Sequence, residues 1–264
     1  MKYRHLSLFV NDLQAIGRYS FTKKEAAEAL GVSDIALKMS LQKLSKKGQI
    51  TLVKRGFYVV VPPEYQASGI LPPSWFIHDL MKFIGCPYYV ALLSAAAIFG
   101  AAHQQPQVFH VITDRPKRDI DVSGLRISFF MKSGIVKTPI VQVKTETGFM
   151  DVSNPGATSI DLVRFADRIG GLDRVVTVLQ ELSETIKARE LLEAAKCENN
   201  LSYIQRLGFL LDRIGKANLT RMLVRWVSSY HPHITPLNPK LPRKGYKHNS
   251  QWKIIENVLV EGEL

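Results

Sequence analysis

Acidic residues are in short supply in this 264-residue chain: 23 Asp and Glu stand against 35 Lys and Arg, a formal charge of +12 at neutral pH. A surplus of that size points to a polyanion or an acidic partner. Cysteine is scarcer still. Cys86 and Cys197 are the only two, far apart in sequence, which excludes a secreted disulfide framework; reduced thiols in a cytoplasmic setting are expected. Long hydrophobic runs are also missing. The longest, residues 90–102, is too short to span a bilayer and is interrupted by Ser94 and Gly100, so it is expected as a buried helix from about Tyr88. Residues 1–13 lack an extended apolar core, and no signal peptide is expected. There is no glycine-rich phosphate loop, no Gly-x-Ser-x-Gly elbow, no zinc-like spacing of Cys and His, no internal repeat and no low-complexity tract.

What is present is an ordinary globular composition, 46% hydrophobic and 22% charged, with room for two cores. The charge is unevenly placed. Residues 1–62 hold eleven Lys or Arg against four Asp or Glu, whereas residues 63–153 hold eight against seven. The excess therefore belongs mainly to the N-terminal quarter.

That quarter contains the most informative stretch, residues 21–61. Thr22 and Glu25 have capping-box spacing, with Phe21 and Ala26 at the staple positions, so a helix is expected from Lys23 to a Gly31 stop. Ser33 is expected to cap a second helix over residues 34–47, with Val32 poised against Leu37 and Gly48 as the stop. Leu37, Leu41 and Leu44 give it an inward stripe, leaving Asp34, Lys38, Gln42, Ser45 and Lys46 outside. A hairpin follows, residues 49–54 and 57–61, turning at Arg55-Gly56. With Leu6, Phe9, Val10, Leu13 and Ile16 tracing an earlier helical stripe, the pattern is that of a winged helix-turn-helix. Gln can pair with an adenine edge, and Lys and Arg can donate to guanine or phosphate. The expected DNA-facing set is Ser33, Asp34, Lys38, Gln42, Lys43, Lys46, Lys54 and Arg55.

Pro62-Pro63 should close the hairpin's second strand, and residues 63–73 read as a linker. The expected division is 1–62 for DNA binding, 63–73 for the linker and 74–264 for a C-terminal α+β domain. In the latter, helices are expected from Ser74 to Gly85 and from about Tyr88 to Ala101, then strands at 107–113, 127–131, 140–144 and 148–152. Asn154-Pro155-Gly156 is expected to break the sheet, with helices near 159–165, 171–186, 188–197, 201–214 and 219–230, and a tail briefly strand-like over 252–260. Arg115, Lys117 and Arg118 read as a solvated loop. Trp75, Phe76, Tyr88 and Tyr89 read as core packing rather than as a ligand pocket.

The best enzymatic constellation is Asp119 or Asp121 with Gln142-Val143-Lys144. A Mg²⁺-dependent nuclease needs a second carboxylate where Gln142 stands, and His231 and His233 read as surface residues, so no catalytic residue, metal or cofactor is assigned.

Taken together, the chain resembles the AbiEi-type antitoxins of type IV toxin-antitoxin (abortive infection) systems along its whole length. The resemblance rests on Arg55-Gly56-Phe57-Tyr58, on residues 89–96, on the passage from Val152 to Phe165, and on residues 236–239 followed by Trp252. It implies a cytoplasmic, non-enzymatic transcriptional regulator. The winged helix would bind inverted repeats in its own promoter and repress the operon. The C-terminal domain would counteract a nucleotidyltransferase-like toxin, without requiring a stable complex with it. The alternative is a ligand-responsive winged-helix transcription factor whose second domain senses a small molecule.

Overall fold

The computed structural model describes residues 3–101 and 106–260. It is a mixed α and β structure with helices and three sheets among the described residues. Two compact units divide it: Met1–Tyr89, Gln107–Ser133 and Gln142–Asp151 form unit 1; Val90–Pro106, Gly134–Val141 and Val152–Leu264 form unit 2.

Unit 1 opens with α1 (Leu6–Ala15), β1 (Ser20–Thr22), α2 (Lys23–Leu30), α3 (Asp34–Lys46), β2 (Ile50–Lys54) and β3 (Phe57–Val60). The capping box is present in full: Thr22 Oγ1 accepts from Glu25 N at 3.1 Å, and Thr22 N donates to Glu25 at 2.7 Å. Burial works to raise the Glu25 carboxyl, and hydrogen bonds from Arg18 and Thr22 outweigh it and hold the pKa low. Such a group stabilises the fold above its unfolded pKa and loses that contribution as pH falls through the lowered value. Gly31, at φ 62°, ends α2 in the left-handed conformation its lack of a Cβ permits. Leu6, Phe9, Leu13, Phe21, Leu37, Leu41 and Val60 belong to one buried cluster. Ile16 is not part of it; it is 75% exposed beyond the end of α1.

The three strands are ordered β1-β3-β2, and Phe21 stacks on its cross-strand partner Tyr58 at 5.4 Å. Along β3, Tyr58 and Val60 face the helices, while Phe57 and Val59 lie on the other side and are also buried. Phe83 of α4 (Ile77–Ile84) covers Phe57 at 5.5 Å between ring centres. Ser20 Oγ donates to Asp79 at 2.6 Å, and Thr51 Oγ1 donates to Gly69 O. Residues 63–73 are thus not a bare connector within unit 1: short 3-10 turns occupy Pro63–Tyr65 and Pro73–Trp75, and Ile70 and Leu71 are buried. Prolines punctuate the segment as a linker would, but the second face of the sheet needs cover.

A six-stranded sheet has the order β6-β7-β5-β4-β9-β8, from β4 (Tyr88–Val90), β5 (Val108–Thr113), β6 (Ile120–Val122), β7 (Leu125–Met131), β8 (Ile140–Thr145) and β9 (Gly148–Ser153). Tyr88–Val90 is therefore a strand, not the start of a helix; the helix, α5, spans only Leu92–Ile98. Three aromatic and β-branched residues suit a strand buried on both sides, which no periodicity marks. Ala102, at the end of that apolar run, lies outside the described residues. Phe76, Tyr88 and Tyr89 are buried and Trp75 packs edge-on against Tyr19 and Tyr65, so these aromatics are packing residues.

Unit 2 gathers α5 with α6 (Pro155–Arg164), α7 (Gly171–Leu182), α8 (Ala188–Lys196), α9 (Leu201–Arg213) and α10 (Ala217–Ser228). Asn154-Pro155-Gly156 starts α6: the Asn154 side chain accepts from Ala157 N at 2.8 Å, and Pro155 occupies the first turn. Every residue of α6 up to Val163 is buried. Gly156 lets α8 approach, since a Cβ there would sit 3.0 Å from Glu190 O and Leu191 Cα. The tail adds β10 (Thr235–Pro236), β11 (His248–Asn249) and β12 (Ile254–Ile255), ordered β10-β12-β11. Trp252, 1% exposed, lies flat over Gly208 of α9.

Candidate nucleic-acid interface

Ser33 caps α3, its Oγ accepting from Ala36 N at 3.3 Å, and Asp34 occupies the first turn where the helix dipole favours an anion. Asp34 is also tied to Lys23 at 2.8 Å, which links the starts of α2 and α3. Lys43 and Lys46 fall in the last turn, where they complement the negative end of the dipole. At the hairpin, Lys54 pairs with Phe57 across Arg55-Gly56, and Gly56 O accepts from Lys23 N at 2.8 Å, pinning the turn to the start of α2. Ser33, Asp34, Lys38, Gln42, Lys43, Lys46, Lys54 and Arg55 are all exposed.

Three of those eight meet. A cleft of about 340 Å³ between α3 and the hairpin is lined by Lys38, Gln42 and Arg55, together with Lys23, Ser45 and Tyr58. Its charged wall residues are all cations. Burial raises the Tyr58 phenol pKa, and the nearby Lys23 charge offsets only part of that rise. Successive helix residues turn by about 100°, so Leu37, Leu41 and Leu44 on the core side place Ile35, Met39, Gln42 and Lys46 on the outermost ridge. Lys43 falls on the flank away from Lys38. Ile35 is 76% and Met39 66% exposed, two apolar residues that reading the polar face alone passed over. Placing α3 on a wheel against its leucines would have found them.

The catalytic alternative does not assemble. Asp119 accepts from Ser128 Oγ and Phe129 N, Asp121 pairs with Arg126 at 3.3 Å, and both belong to the β6 edge of the sheet. Gln142 and Lys144 lie on β8, the opposite edge, five strand spacings of ~4.8 Å away. Among the described residues no group of three or more His, Cys, Asp or Glu could hold a metal ion. Arg115 pairs with Asp114 in an exposed loop, and His231 and His233 are exposed. No helix among the described residues is long and apolar enough to cross a membrane.

Residues 89–213 match the family model of the AbiEi antitoxin C-terminal domain. This stretch is an AbiEi-type antitoxin domain. No curated protein matches the chain. The fold is similar to that of the RV2827C protein from Mycobacterium tuberculosis, with a TM-score of 0.67 and 15% identity over 97% of this chain and 92% of that one. The AbiEi-type match runs from Tyr89 through α9, so the α3 cleft precedes it and Trp252 follows it.

Proposed function

We propose that this chain is a DNA-binding antitoxin and autorepressor of a type IV system: residues 1–62 act as a winged helix-turn-helix on inverted repeats in its own promoter, and the C-terminal region counteracts a nucleotidyltransferase-like toxin. The carrying observation is the cleft in which Lys23, Lys38 and Arg55 converge around Gln42. Helix α3 would enter the major groove with Gln42 on its outer ridge, Ile35 and Met39 meeting thymine methyl groups, and the hairpin cations on phosphate. The protein works in the cytoplasm, and no enzymatic step is assigned to it.

Gln42→Ala tests the base-reading role. Its preference for the promoter over random DNA should fall by roughly 1–3 kcal/mol in competition binding, with non-specific affinity kept. Equal loss on both DNAs refutes that role.

The functional division we propose keeps 1–62 for DNA, 63–73 as connector and 74–264 for the antitoxin region. A fragment of residues 1–66 retains the complete buried cluster of the first three helices. It also exposes Phe57 and Val59, so it should fold with a lower Tm than the full chain, self-associate, and bind the promoter weakly. A fragment with no cooperative melt would show that the module depends on the rest of unit 1.

A further inference from the structure

Unit 2 contains a cavity of about 310 Å³ at the junction of α6, α9 and the tail. Arg206 is part of its wall and is 9% exposed. Its Nε donates to Pro236 O at 3.0 Å and its Nη2 to Thr235 Oγ1 at 3.3 Å, both neutral acceptors. Among the described residues Nη1 has no acceptor, and no carboxylate forms an ion pair with this guanidinium.

The other charges of the wall are matched. Arg164 pairs with Glu198 at 2.9 Å, and Asp167 pairs with Lys240 at 3.1 Å. The Tyr203 ring lies 5.1 Å from the Arg164 guanidinium and 5.8 Å from that of Arg206, which softens the loss of water without cancelling charge. A buried cation without a direct ion pair is unfavourable: burial pushes the Arg206 pKa down, and the Tyr203 and Asp167 charges that act against it do not cancel the shift. Ser202, in the first turn of the 13-residue α9, reaches the same wall, with its N–H already donated to the Asn200 cap at 3.0 Å.

We propose that this cavity binds the oxyanion head group of a small molecule, a carboxylate or a phosphoryl group, with Arg206 Nη1 as the anchoring donor. With Arg164 and Asp167 already paired, Arg206 leaves one positive charge on the wall, which matches a singly charged head. Leu172, Leu237 and Pro239 would receive a short apolar body. The site does not depend on the DNA or toxin reading.

The test is thermal melting of the full-length protein at constant ionic strength, with chloride replaced by inorganic phosphate in one arm and by acetate in the other. An anion held here at about a hundred times its dissociation constant should raise Tm by at least about 5 °C. The arm that responds identifies the head group. Asn238 also lines the cavity, and its Oδ1 accepts from Lys240 N at 3.0 Å, a bond that an Asp side chain can keep. Asn238→Asp therefore supplies the missing negative charge without dismantling the tail, and should weaken the anion response at least tenfold. The response should persist when Lys38 and Arg55 are both replaced by Glu, which separates it from the cationic α3 cleft. A wild-type protein that ignores both anions, or an Asn238→Asp variant that responds like wild type, overturns the assignment.

Discussion

Lys38→Glu combined with Arg55→Glu should abolish promoter binding while leaving the fold intact. Both side chains are exposed on the wall of one cleft, and neither forms an ion pair among the described residues, so reversing them orphans no partner there. The cost to the helix is small: Glu at 38 would stand four residues from Asp34, a like-charge pair worth about 0.2–0.5 kcal/mol. The cost to DNA binding is large. If the cleft meets DNA as proposed, two phosphate-neutralising cations are lost and two anions are brought up to the backbone, so affinity should fall on the order of a hundredfold or more on every sequence, with a shallower salt dependence. Filter binding across a salt series would measure it. An affinity within threefold of wild type would remove the cleft from the DNA interface. Expressed with the proposed nucleotidyltransferase-like toxin from an unrelated promoter, the same variant should still rescue growth. Failure of rescue by folded, equally abundant protein would mean that neutralisation uses this cleft too, and that the two activities do not reside in separate parts of the chain.

The second large effect is expected at Gly208→Ala in α9. On propensity alone Ala would stabilise a helix interior by about 1 kcal/mol. Here the added Cβ would lie 2.1 Å from Cη2 of Trp252 and 2.3 Å from its Cζ3. The ring cannot slide away cheaply, because Trp252 Nε1 donates to Asp212 at 2.7 Å and Gln205 Nε2 donates to Trp252 O at 2.9 Å. Overpacking of a core by one methyl group costs ~1–3 kcal/mol when neighbours can adjust, and the pinned indole places this site at or above the upper end. A fall in Tm of roughly 6–12 °C should follow, at about 2–4 °C per kcal/mol for a domain of 150–250 residues. Trp252→Leu in the same chain should recover part of it by vacating the space. A Gly208→Ala protein melting within 2 °C of wild type would show that the tail can lift from α9 at little cost.

Local grammar made much of the N-terminal part legible in advance. Thr22 and Glu25 are three residues apart, Ser33 adjoins the helix it caps, and Arg55-Gly56 is itself the hairpin turn, so the interactions that define these features lie within a few residues of chain. The net charge of residues 1–62 was equally readable, since it is a sum over composition. Three features could not be read this way. Tyr88–Val90 is a strand because β5 and β9 flank it, and a short apolar run without periodicity cannot express that choice. The assembly of Lys38, Gln42 and Arg55 around one cleft depends on how the hairpin folds back on α3. Strand order places Asp121 and Lys144 at opposite edges of a sheet, whereas folding brings Gly208 and Trp252, 44 positions apart, into direct contact. Amino-acid order alone determined where helices start and stop and where the positive charge sits, because caps, turns and composition act over a few residues. The tertiary structure decided which distant side chains share a wall, because such pairings minimise exposed apolar surface over the whole chain and leave no local trace.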